Sequence, residues 1–168
     1  MLLKVDVAGI VAISNNSKIN ACYNSGNIES TNSNIGGIVG SAIDGPIISN
    51  SFNNATISAL ETAGGIVGNN SEAKMIVKYC YNTGDIYSSS GGFIGAIVGA
   101  IINSKNISNC EWCTKSVSYG IGYINSNDGA IFNENIDMKN ILLVVNNDRA
   151  FIADTNNINN GYPILAWQ

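Results

Sequence analysis

The sequence contains no histidine, one arginine (Arg149) and two prolines, and only 12% of its 168 residues are charged. Without histidine, any site this chain builds lacks the commonest general base and the commonest metal ligand. The eight basic residues form no run, so nothing tracks a phosphate backbone and nucleic acid is not expected as a partner. No stretch reaches the roughly 18 apolar residues that a membrane-crossing helix needs. The longest, 93–102 and 141–145, fall well short. No secretion signal is visible, because Lys4 and Asp6 stand where its apolar core would lie. Residues 8–12 already read as the inside of a repeat, so the chain is expected to begin mid-protein, with any leader upstream.

What is abundant is asparagine, with 27 residues, alongside 18 glycines and a hydrophobic share of 45%. Asparagine, serine and glycine bond locally, tolerate left-handed backbone and occupy turns. Combined with many Ile and Val, they predict many short strands joined by tight corners. The apolar content is too high, and the net charge of −4 too small, for a disordered chain.

A repeat organises this composition. Gly36-Gly37-Ile38-Val39-Gly40 returns as Gly64-Gly65-Ile66-Val67-Gly68, again as Gly91-Gly92-Phe93-Ile94-Gly95, and in degraded form as Ala8-Gly9-Ile10-Val11-Ala12. A second block keeps step: Cys22-Tyr23-Asn24, Ser51-Phe52-Asn53, Cys80-Tyr81-Asn82 and, more loosely, Cys110-Glu111. An aliphatic residue precedes each Cys/Ser position by three (Ile19, Ile48, Val77, Ile107). Another follows it by six in three of the repeats (Ile28, Ile57, Ile86). The period of about 27 to 30 residues suits a solenoid and is too short for a propeller blade. The apolar patches are short, β-branched and bounded by Gly or Asn, which favours strands over helices.

The fold expected is all-β: a right-handed parallel β-helix of about four rungs over residues 1–129, each with two or three short strands. Right-handedness follows the usual hand of parallel crossovers. Stacking then places Ile38 over Ile66 over Phe93 as one interior column and Ile28 over Ile57 over Ile86 as another. Asn24, Asn53 and Asn82 are expected to form an amide ladder at a corner, with Gly26 and Gly84 letting the backbone turn there. Residues 130–168 read as a capping segment, with Asp137 starting a short helix through Val144 and a last strand from Tyr162 to Trp167. A solenoid end exposes unpaired edges, and such a segment would cover one. A rival reading makes Tyr162 and Trp167 a binding platform.

These blocks resemble the GLUG motif, named for a Gly-Leu-any-Gly core that reads here as Gly-Ile-Val-Gly at 37–40 and 65–68. Cys22-Tyr23-Asn24-Ser25-Gly26 and Cys80-Tyr81-Asn82-Thr83-Gly84 are similar to the usual companion of that core. Asn109-Cys110-Glu111-Trp112, followed by Gly120-Ile121-Gly122, looks like a last repeat, and 160–167 is similar to the end of many bacterial surface proteins with such repeats. The resemblance implies a secreted or cell-surface location and an adhesin-like role, sometimes attached to a peptidase. It supplies no catalytic residues.

No catalytic, cofactor-binding or metal-binding residues are identified, and no cofactor is expected. Cys110 and Cys113 form an isolated Cys-x-x-Cys pair without further ligands. Cys22 and Cys80 lie two rungs apart, beyond disulfide reach. Cys80 and Cys110 are on adjacent rungs and could bond, or could pack as buried thiols. The acidic residues do not stack into the paired carboxylates that a glycoside hydrolase needs: successive rungs place Glu29, Ser58 and Tyr87 at one position and Asn27, Thr56 and Asp85 at another. A further binding candidate is the aromatic column Tyr23, Phe52 and Tyr81, a sugar-stacking stripe if it faces outward and core if it faces inward.

The function expected is a non-enzymatic surface or secreted module, adhesin-like or a rigid stalk presenting other domains. One alternative is the accessory C-terminal β-helix of a larger secreted peptidase or polysaccharide-active enzyme. Another is a carbohydrate-binding module. The partners implied are a host or cell-surface protein or glycan and upstream domains of the same polypeptide.

Overall fold

The computed structural model describes residues 5–31, 34–70, 74–102, 106–123, 127, 129–132, 142 and 149–168. It is an all-β parallel solenoid. The first turn runs through β1 (Val7–Ala8), β2 (Val11–Asn15), β3 (Lys18–Asn20), β4 (Tyr23–Asn24) and β5 (Ile28–Ser30). The second repeats it as β6 (Ile35–Gly36), β7 (Val39–Ile43), β8 (Ile47–Ser49), β9 (Phe52–Asn53) and β10 (Ile57–Ala59). The third has β11 (Ala63–Gly64), β12 (Val67–Asn70), β13 (Ile76–Lys78), β14 (Tyr81–Asn82) and β15 (Ile86–Ser88). A fourth, incomplete turn carries β16 (Ile94–Gly95), β17 (Val98–Ile101), β18 (Ile107–Ser108) and β19 (Cys110–Trp112). Five strands per turn, rather than two or three, arise because corners interrupt the chain every few residues.

Each strand pairs in parallel with its equivalents one turn before and after, giving five narrow sheets around one core. The aliphatic column three places before the Cys/Ser position is confirmed: Ile19, Ile48, Val77 and Ile107 are in register and buried. So is Ile28 over Ile57 over Ile86.

The column Ile38–Ile66–Phe93 needs correction. Ala63 pairs with Ile94 and Gly64 with Gly95, so the third copy of the glycine block is Gly95-Ala96-Ile97-Val98-Gly99. Ile97 is buried beside Ile38 and Ile66, whereas Phe93 lies outside and is 49% exposed. The Gly91-Gly92 pair is a sequence echo inside a lengthened corner.

One residue per turn makes the corner that breaks simple alternation. Ala21, Asn50, Tyr79 and Asn109, each just before the Cys/Ser position, all have left-handed backbone, with φ between 50° and 55°. That single reversal lets Ile48 and Ser51, or Val77 and Cys80, all face inward although three residues apart. Asparagine tolerates this conformation, but Ala21 and Tyr79 carry a steric cost.

The two sequence blocks meet across the coil. The amide ladder runs as expected: Asn24 Nδ2 donates to Asn53 Oδ1 and Asn53 Nδ2 to Asn82 Oδ1, both at 2.8 Å. Each amide also donates to the carbonyl two residues on, at Gly26, Ala55 and Gly84. Asn53 and Asn82 are fully buried. Opposite them stand bare glycines. A side chain on Gly9, Gly37 or Gly65 would begin 2.6, 2.7 or 2.5 Å from the amide carbon of Asn24, Asn53 or Asn82 and would overlap a backbone carbonyl of the next turn. In the fourth turn the ladder position holds Trp112, and the equivalent glycine becomes Ala96. Gly26 and Gly84 do not serve as left-handed corners, since neither has positive φ.

Two predictions follow from these corners and columns. Gly65→Ala should destabilise the coil by about 3 kcal/mol through overpacking, while Gly26→Ala, whose nearest outside atom would be 3.8 Å away, should change stability by no more than about 0.5 kcal/mol. Urea unfolding followed by circular dichroism distinguishes them, and equal losses would contradict the packing. Tyr79→Asn should stabilise the chain by about 1 kcal/mol by relieving left-handed strain, seen as a higher urea midpoint.

Candidate functional site

The Cys/Ser, aromatic and Asn positions of the second block point in alternate directions, as strand geometry requires. Cys80 and Cys110 face the core, and all four cysteines are free thiols. Cys80 Sγ lies 3.3 Å from the Lys78 carbonyl and Cys110 Sγ 3.3 Å from that of Ser108. Burial raises the Cys80 pKa well above the usual thiol value, and the neighbouring Cys110 adds to the shift. A protonated thiol is a poor nucleophile and a poor metal ligand. Cys113 lies on the other side of the strand, where the Tyr162 hydroxyl meets its sulfur at 3.0 Å. The Cys-x-x-Cys pair is therefore split between interior and exterior.

The aromatic column faces outward. Tyr23 and Phe52 stack with ring centroids 5.2 Å apart and 15° between planes, and Phe52 and Tyr81 stack at 4.8 Å and 3°. Outward does not mean exposed, however. Phe52 and Tyr81 are each only 1% exposed, because residues 150–168 lie across them. Phe151 tilts against both rings at 6.3 and 5.5 Å, and Leu165 completes the apolar contact. Tyr23 alone remains half-buried, with Trp167 leaning over it at 5.8 Å.

The covering segment is an antiparallel pair, β21 (Phe151–Ile152) with β22 (Ile164–Leu165). It runs lengthwise along the coil as a strap. Trp167 Nε1 donates to Ala21 O in the first turn, and Asn159 meets Asn54 in the second at 2.5 Å. Asn159 also donates to the Tyr81 hydroxyl in the third at 2.8 Å, and that hydroxyl donates to Pro163 O. Tyr162 reaches Cys113 in the fourth. The last strand expected from Tyr162 to Trp167 is limited to Ile164–Leu165, and it seals a side of the coil. The first three residues of the expected cap, Ala130–Phe132, form β20 and pair in parallel with β19 as a further coil strand. The helix expected from Asp137 lies outside the described residues apart from Leu142, which is helical and packs against the aromatic cluster.

Asp154 shapes the strap's loop. Its carboxylate accepts backbone N–H bonds from Ile158 at 2.7 Å, Asn159 at 2.6 Å and Gly161 at 3.1 Å. Desolvation pushes its pKa up, but the three donors outweigh that and hold it below the ordinary value.

The remaining acidic residues keep the register read from the sequence. Glu29, Ser58 and Tyr87 are stacked, and so are Thr56 and Asp85, with Asn27 Oδ1 accepting the Thr56 N–H. Asp85 bonds Thr114 and Tyr87 rather than a second carboxylate. Among the described residues, no three Cys, Asp or Glu side chains come together as a metal site would need.

Residues 31–58 match the family description of the GLUG motif. The chain carries a GLUG repeat. The matched segment covers one complete turn, from the corner before β6 to the middle of β10, and includes the bare Gly37 and its partner Asn53. The matched segment is thus the sequence of one rung of this coil. Comparison with curated proteins and with solved structures gives no match.

Strap docking should depend on acid. Because the native pKa of Asp154 is depressed, its contribution is present above the unfolded carboxyl value of about 3.9 and is lost as pH falls through the lower folded value. Amide hydrogen exchange of residues 150–168, corrected for intrinsic rates, should quicken between pH 6 and pH 3 in the native chain. Asp154→Asn should abolish that difference; an unchanged pH response in the variant would contradict the assignment.

Proposed function

We propose that this chain is a non-enzymatic GLUG-repeat module, serving as a rigid, adhesin-like stalk segment of a secreted or cell-surface protein. The observation that carries this reading is the way successive turns are tied together. Backbone ladders join each turn to the next, the buried amide ladder joins three, and the strap bonds to all four. A solenoid without such a tie can open from an end, because each repeat contacts only its neighbours. A segment fastened along its length resists bending and fraying, which is what presenting other domains at a distance demands.

The chemistry supports the same reading. The patterned side chains are used in packing, in the ladder or under the strap. The interior thiols are shielded, so they can remain reduced even where disulfides form readily. No helix among the described residues is long and apolar enough to cross a membrane.

An antibody against the folded chain tests the proposal on intact source cells and their medium. Surface or medium labelling is expected, together with no release of reducing ends or peptides when the chain is incubated with polysaccharide and protein panels. Confinement to the cytosol, or saturable turnover of any of these polymers, would overturn it.

A further inference from the structure

A second pair of rings, Phe93 and Tyr123, lies outside the aromatic cluster under the strap. Ile35 follows its partner Val7 by 28 residues and Ala63 follows Ile35 by 28, but Ile94 follows Ala63 by 31. The longer turn contains Gly91, with φ +72°, and Gly92, and it delivers Phe93 to the surface. Insertions in a repeat fall on loops, often those of the binding face. Phe93 keeps the register of Asn34 and Thr62 but is 49% exposed, so its ring adds nothing to the core.

Phe93 meets Tyr123 edge to face, with centroids 5.0 Å apart and planes at 74°, and Tyr123 is 44% exposed. The two rings close one end of a groove of about 440 Å³, within the usual range for ligand pockets. One wall is the column Asn34–Thr62–Phe93, whose members each precede a strand of the same sheet; the other is formed by Asn69 and the exposed Ile102. Asn70 lines it as well, donating Nδ2 to Ala42 O, while its buried Oδ1 has no hydrogen-bond partner among the described residues. A second hollow of about 340 Å³ opens on the other side of Phe93.

We propose that this groove binds a neutral, linear glycan lying along the solenoid axis, with a sugar ring stacked in the corner made by Phe93 and Tyr123. A sugar ring offers an apolar C–H face to an aromatic ring and a rim of hydroxyls to amides and alcohols, and the groove presents both kinds of surface. The only charged residue on its described lining is Glu61, so it holds no cation for phosphate, sulfate or uronate groups. Turns repeat at about 4.8 Å, close to the length of one sugar residue, so Asn34 and Thr62 are spaced to meet successive units. A peptide adding a strand needs an open sheet edge, whereas the strands lining this groove in the second and third turns are already paired on both sides. The inference stands apart from the stalk reading, since a groove of this kind would serve any location.

Calorimetric titration of the intact chain with tetrasaccharides of β-1,4-glucose, β-1,3-glucose, β-1,4-mannose and β-1,4-N-acetylglucosamine tests it. At least one should bind with micromolar to millimolar affinity. Phe93→Ala and Tyr123→Ala should each weaken that binding about tenfold without altering the circular dichroism spectrum. Tyr87→Ala, an exposed ring on another face, should leave it unchanged. The proposal is overturned if none of the four binds at millimolar concentration, if binding survives the Phe93/Tyr123 double variant, or if the same residues instead select peptides from a displayed library.

Discussion

The contact between a missing side chain and a buried amide governs this fold. Gly37 is bare because Asn53 occupies the space that its Cβ would need, and the pairs Gly9 with Asn24 and Gly65 with Asn82 repeat the arrangement. A buried amide is costly unless its donors and acceptor are engaged. Here the ladder engages them, but only if the facing backbone comes close enough to exclude water. Glycine on one wall and asparagine on the other are therefore one requirement written in two places, 15 to 17 residues apart. That is why the two sequence blocks keep step while the corners between them vary. Where the amide is lost, at Trp112, the glycine is lost as well, at Ala96.

Much of this was legible beforehand. The register of the Ile19, Ile48, Val77 and Ile107 column, the asparagine ladder and the stacked rings of Tyr23, Phe52 and Tyr81 all follow from fixed spacing, and spacing is what parallel stacking conserves. Other features are hidden from the sequence for physical reasons, two of them instructive. The third glycine block was read at 91–95 instead of 95–99, because Gly-Gly pairs occur both where a side chain would collide and where a loop bends, and letters do not separate those causes. The direction of the aromatic column was also hidden, because the left-handed residue before each Cys/Ser position resets the alternation and is glycine in no turn. Ala21 and Tyr79 adopt it with no sign in their residue type.

The described residues 150–168 cover a side of the coil. Phe151 and Leu165 pack on the rings of Phe52 and Tyr81, which removes their outward apolar faces from water. The strap's polar contacts then follow from position: Asn159 sits where it can reach both Asn54 and the Tyr81 hydroxyl, and Asp154 gathers the loop that carries it. The column that invited a sugar-stacking reading is largely occupied by the chain's own C-terminus, and the exposed pair of rings lies on a different face.

The ladder also has a direction. Asn24 donates to Asn53 and Asn53 to Asn82, so every amide dipole in the row points the same way. Reversing a single amide would set nitrogen against nitrogen at one neighbour and oxygen against oxygen at the other. Inverting the whole row is excluded as well, because each side-chain oxygen would then face the carbonyl of Gly26, Ala55 or Gly84, so the backbone of every turn enforces the same orientation.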